Sequence, residues 1–298
     1  MNTRMRVKAV PVLLAASIGI PTLGRVANAF AHDGHAAAKL QPTGFDAIDL
    51  TIEESGVTGM PESIAAGRYL FNVTGPEPGE MGPAGFIVVQ LPEGITGEQA
   101  YEDTSTAVDG PPAWYLDAHW GGGFTLAQGT EGWVVLDLTP GSWHVTTLQG
   151  STPPVAFEVT GEFPADVADA GANVELDMFE MDFKIIAGEF VAGDNIMTVH
   201  NSGAQLHFVE VIQVPDGTTE AQVDALFNSY MTGTPDPEML DESQIMPILY
   251  APDQSPGVSA TLPISLEAGT YLLTCWVPDP ETGLPHAMMG MHELVEIA

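Results

Sequence analysis

From residue 45 onward the chain is a succession of short runs in which apolar and polar residues alternate, the period-2 pattern of strands with one buried face. Ile48-Asp49-Leu50-Thr51-Ile52 and Val174-Glu175-Leu176-Asp177-Met178 both read this way, and Gly, Pro, Asn and Asp punctuate the intervals. Two stretches break the alternation. Thr96-Gly97-Glu98-Gln99 and Thr219-Glu220-Ala221-Gln222 are capping-box patterns that open a helix. Val223, Leu226, Phe227 and Tyr230 then fall at helical spacing. The pattern therefore predicts many short strands and two short helices.

The same elements occur twice in the same order. Phe86-Ile87-Val88-Val89-Gln90-Leu91-Pro92-Glu93-Gly94 answers Val209-Glu210-Val211-Ile212-Gln213-Val214-Pro215-Asp216-Gly217. Leu138-Thr139-Pro140-Gly141-Ser142-Trp143 answers Leu266-Glu267-Ala268-Gly269-Thr270-Tyr271. Short strands with Gly and Pro turns suit sandwiches better than a parallel sheet. The expected fold is all-β: two tandem Greek-key sandwiches with short inserted helices, at 45–160 and 173–298, divided near residues 162–172. His119-Trp120, ahead of Gly121-Gly122-Gly123, reads as a loop surface of the first copy.

Residues 1–31 carry a basic head (Arg4, Arg6, Lys8), a broken apolar run and small-residue cleavage sites. They read as a signal peptide, too short and interrupted for a membrane span, followed by a linker at 32–44. The expected location is secreted or periplasmic after cleavage. Beyond the signal only Lys39, Arg68 and Lys184 stand against 40 acidic residues. That balance excludes nucleic acid and anionic membrane as direct partners, because phosphate contacts need a basic patch. It suits solubility by self-repulsion or steering of a basic partner. Hydrophobic residues make up 45% of the chain, enough for a core. A single cysteine, Cys275, rules out an internal disulfide and needs another reason: burial, pairing between chains, or a metal.

The copies differ most in their penultimate connection. Thr147 to Glu158 in the first corresponds to Cys275 to Glu296 in the second, which is ten residues longer. That connection holds Cys275, His286 and Met291, while His207 follows Asn201-Ser202-Gly203 in mid-domain. In these residues the second copy resembles the cupredoxins, the small blue-copper proteins of the plastocyanin and pseudoazurin type. His286-Ala287-Met288-Met289-Gly290-Met291 is the most similar run. The resemblance implies a cupredoxin-like fold for both copies, the first degenerate. It also implies one copper ion held by His207, Cys275 and His286 with Met291 as weak axial ligand, and one-electron exchange with a redox partner protein. Two imidazoles and a thiolate suit copper in both oxidation states.

One departure leaves two outcomes open. Ten residues separate Cys275 from His286, where cupredoxins have a few. Prolines and Gly283 either fold the excursion outward and return His286, or the loop carries His286 away and Cys275 is an inert buried thiol. Thr147 stands opposite Cys275 in the alignment and Ala84 opposite His207, so the first copy has no such site. Met288 and Met289 compete with Met291, which wins on spacing. His32 and His35 read as linker histidines, or as a chelating terminus after cleavage. No Gly-x-Ser-x-Gly elbow, His-Glu-x-x-His helix or phosphate loop occurs, and eight scattered histidines are too few for a multicopper oxidase. The expectation is a carrier, not an enzyme. Copper storage or delivery, and a metal-free interaction module, are the alternatives.

Overall fold

The computed structural model describes residues 40–76, 83–107, 110–127, 129–148, 150 and 152–298. The signal segment 1–31, His32, His35 and the linker as far as residue 39 lie outside the described residues. The first half contains β1 (Asp46–Glu53), β2 (Gly56–Thr58), β3 (Ser63–Ala65), β4 (Gly67–Thr74), β5 (Gly85–Gln90), α1 (Gly97–Thr106), β6 (His119–Thr125), β7 (Glu131–Leu138), β8 (Gly141–Thr147) and β9 (Val155–Thr160). The second contains β10 (Val174–Phe179), β11 (Asp182–Gly188), β12 (Gly193–Asn201), β13 (His207–Val214), α2 (Glu220–Thr232), β14 (Met246–Gln254), β15 (Ser259–Leu266), β16 (Gly269–Thr274) and β17 (His292–Ile297).

Alternation in the sequence becomes alternation in burial. Ile48, Leu50 and Ile52 of β1 face the core while Asp49, Thr51 and Glu53 face solvent, and Val174, Leu176 and Met178 of β10 are buried in the same way. Both helices begin at their threonines. Thr96 Oγ1 accepts from the Gln99 amide at 3.1 Å, and Gln222 Oε1 accepts from the Thr219 amide at 3.0 Å. No helix among the described residues is long and apolar enough to cross a membrane.

The strands form two sheets. One has eight strands in the order β11-β10-β12-β15-β7-β4-β1-β2, and the other nine in the order β17-β16-β13-β14-β6-β5-β8-β9-β3. Each sheet runs through both halves of the chain, joined where β7 pairs with β15 (Leu136 opposite Ala260) and β6 with β14 (Gly121 opposite Gln254). Outward from that seam the order is matched, β7-β4-β1-β2 against β15-β12-β10-β11. The two halves share more than a linker: Trp120 N–H donates to Ser255 Oγ at 2.8 Å and the Ser255 amide to Trp120 O at 2.9 Å. One apolar core spans both, from Phe86 and Trp143 to Phe208 and Leu262.

The glycine run is the place where the sequence expectation fails. His119–Thr125 is strand β6, and Trp120 is 1% exposed. A Cβ on Gly121 would come 2.7 Å from the Trp143 ring, and one on Gly123 2.0 Å from the Phe86 carbonyl. The glycines let β6 lie tight against its neighbours. Without side chains they show no alternation, which is why they read as a loop.

Candidate metal centre

The sheet that carries β13, β16 and β17 sets the positions of the predicted site residues. Thr274, the last residue of β16, pairs with Glu210 of β13 on one side and His292 of β17 on the other. Cys275 is therefore one step past the ladder, level with Met291. His207 opens β13 after a turn built on Asn201. The Asn201 side chain donates to Gln205 O at 2.8 Å and Gln254 O at 2.6 Å, and accepts from the Gly203 amide at 3.0 Å. A Cβ at Gly203 would lie 2.8 Å from Glu180 Oε1 and 3.0 Å from His207 Nε2, so a side chain there would crowd both.

The ten residues after Cys275 do not carry His286 away. Pro278 bridges to Pro285, and the Asp279 amide donates to Leu284 O at 2.8 Å. Asp279 closes the turn between them, its Oδ1 accepting from the Glu281 amide at 3.1 Å, the Thr282 amide at 2.7 Å and Thr282 Oγ1 at 2.8 Å. The excursion is a small hairpin that ends where it began. The His286 amide reaches Val277 O at 2.9 Å and the Ala287 amide reaches Cys275 O at 2.6 Å. A short 3-10 turn, His286–Met289, follows, and Gly290 at φ 104° leads into Met291.

His207, Cys275 and His286 are brought together, each 0% exposed. The two Nδ1 atoms are 3.1 Å apart, and Cys275 Sγ lies 3.6 Å from that of His286 and 3.8 Å from that of His207. Imidazole and thiolate bonds of about 2.0 and 2.3 Å to one first-row ion, opened by about 100–125°, give separations of this size. Both Nε2 atoms point the other way, toward oxygens. His286 Nε2 is 3.1 Å from Gln205 Oε1. His207 Nε2 is 3.6 Å from Glu180 Oε1, longer than a hydrogen bond. The acceptor facing His286 Nε2 favours a proton on that nitrogen and a lone pair on Nδ1, toward the sulfur.

Burial dominates the electrostatics. It pushes the Cys275 thiol up to about 12, although the Phe208 and Val277 amides facing the sulfur pull it down. It pushes His286 down to about 4, with His207 adding to the effect. His207 is lowered for the same reason, opposed by Glu180. The centre is thus one thiol and two neutral imidazoles, and an ion binding there displaces the thiol proton.

Met291 is 0% exposed and its amide donates to His286 O at 3.0 Å, so its backbone closes the His286 turn. Met289 is 38% exposed, on the outside of the turn. His292 points away, between Glu220 at 3.4 Å and Asp224 at 3.3 Å on α2. His200 pairs with Ser259 Oγ at 2.8 Å. In the first half Phe86 pairs with Thr147 and Ile87 with Thr146, as Glu210 does with Thr274. Thr147 occupies the Cys275 position and Ala84 the His207 position, both buried and neither a soft donor. Sequence reasoning missed Gln205, Glu180 and Asp279. Only Gln205, two residues before His207, carried any signal.

No protein-family description matches the chain, and no curated protein does. Among solved structures, reduced auracyanin from Roseiflexus castenholzii overlaps with a TM-score of 0.28 at 20% identity, over 42% of this chain and 94% of that one. Auracyanin A, a "blue" copper protein from Chloroflexus aurantiacus, gives 0.27 at 18% identity, over 42% and 96%. A multicopper oxidase from Pediococcus acidilactici gives 0.23 at 12% identity, over 88% and 61%. Overlaps this weak carry nothing about function; the donor geometry does.

Proposed function

We propose that this is an exported copper protein that passes single electrons through a centre formed by His207, Cys275 and His286, with Met291 as a further candidate ligand. On this reading the halves 45–160 and 173–298 are cupredoxin-like Greek-key sandwiches, and the first has lost its site. The observation that carries it is the convergence of three lone-pair donors within 3.8 Å of one another in a fully buried place. Three soft donors that converge in a buried place offer a cation a ready set of ligands once the thiol proton is displaced. Two imidazole nitrogens and a thiolate sulfur suit copper better than harder ions.

Held by His207, Cys275 and His286, copper would supply a one-electron couple that can exchange with a redox partner protein. The chain contributes rigidity. His207 and Cys275 sit at the ends of paired strands, and the 278–285 hairpin fixes His286, so little can rearrange when the charge changes. Complete burial excludes water and exogenous ligands. The same burial favours a carrier over storage or delivery, because no donor is exposed to an incoming chelator. Purified protein loaded with Cu(II) should retain one copper per chain and give a single reversible one-electron wave in voltammetry. Failure to retain copper would leave a metal-free interaction module as the reading.

A further inference from the structure

The hairpin between Cys275 and His286 returns the chain to its starting point, yet it brings one side chain with it. Asp279, 6% exposed, has its Oδ1 occupied by the turn it closes. Its other oxygen, Oδ2, lies 3.4 Å from Gln205 Nε2, and Gln205 Oε1 lies 3.1 Å from His286 Nε2. We propose that Asp279 and Gln205 form a relay that decides which nitrogen of His286 carries its proton, and so keeps Nδ1 open toward Cys275 and His207. The relay deepens the metal reading of the site and rests on it for its purpose.

The logic is directional. An ionised carboxylate only accepts hydrogen bonds, so Asp279 Oδ2 draws the amide N–H of Gln205. A primary amide has a donor at one end and an acceptor at the other, so the end left for His286 is the oxygen. An oxygen facing Nε2 places the imidazole proton there, and the lone pair falls on Nδ1. Each link forces the next. Gln205 comes from the turn before β13 and Asp279 from the hairpin, so the ligand's orientation is set by two loops that meet only in the folded chain.

A change of one atom tests it. Asp279→Asn keeps an oxygen for the Glu281 and Thr282 amides but turns an NH2 toward Gln205. The Gln205 amide should then turn over, present its own NH2 to Nε2, and drive the His286 proton to Nδ1. Nitrogen-15 spectra of the imidazole in metal-free protein read the tautomer directly. Wild type is expected as Nε2–H and Asp279→Asn as mainly Nδ1–H, with copper affinity lowered about 10- to 100-fold. Gln205→Glu, which offers only acceptors, should keep Nε2–H in a protein of the same size and shape. If wild type shows Nδ1–H, or Asp279→Asn leaves the tautomer unchanged, the relay is overturned whatever the protein does with copper. A tautomer that switches in a protein that takes up no copper would support the relay and remove the metal reading instead.

Discussion

At Asp253 a carboxyl group is held 3% exposed, with Tyr250 Oη 3.3 Å from Oδ2, Tyr115 close by and no hydrogen-bond partner for Oδ1. Burial pushes its pKa up to about 7, against hydrogen bonds that favour the charged form. An unfolded aspartate titrates near about 3.9, so between the two values the folded state holds a proton that the unfolded state has lost. Stability from this group is therefore present below about pH 4 and is lost as pH rises through about 7. Asp253→Asn cannot ionise. In urea unfolding its stability relative to wild type should rise by a few kcal/mol, on the order expected for such a shift, from pH 4 to pH 7.5. A difference that does not change with pH would contradict this. Comparing the two proteins removes the general repulsion among the other carboxylates. Asp253 was not legible in the sequence because it is one acid among 40. Cys275 was legible for the opposite reason: it is the one cysteine, and the first half offered Thr147 in its place.

Among the elements, the 278–285 hairpin shows how far a length difference can be read. The sequence revealed ten extra residues but left open where they would take His286. The answer depends on Pro278 meeting Pro285 and on the three hydrogen bonds to Asp279 Oδ1, none of which has a periodic signature. Gly283 makes the turn at φ +72°, with nothing within 4 Å of where its Cβ would be. A side chain there meets only conformational strain. Gly283→Ala should cost about 1 kcal/mol of stability in denaturant unfolding, and Gly283→Asn less, because Asn tolerates that region better. Equal stability for Ala and Gly would mean that the hairpin is not formed as described. Strand β6 teaches the complementary lesson. Its glycines suppress the alternation that marks a strand, and only the approach of Trp143 and Phe86 explains them.

In the whole molecule the mostly β character was legible and the seam was not. Period-2 alternation says which face of a strand is buried but not which strand lies beside it. The pairing of β7 with β15 and β6 with β14 joins residues far apart in the chain. The continuous sheets and shared core make the halves interdependent, since separating them exposes four strand edges. Calorimetry should show one transition whose van 't Hoff and calorimetric enthalpies agree. Two resolved transitions would show that the seam contributes little and that the halves behave as independent units.

The centre itself is tested most directly by the visible absorption spectrum on addition of Cu(II). An intense thiolate-to-copper band that saturates at one equivalent is expected, as is a Cys275→Ser protein that keeps its fold but has no such band. A wild-type protein that stays colourless through the titration, or a band that survives Cys275→Ser, would contradict the assignment of His207, Cys275 and His286 as a copper centre.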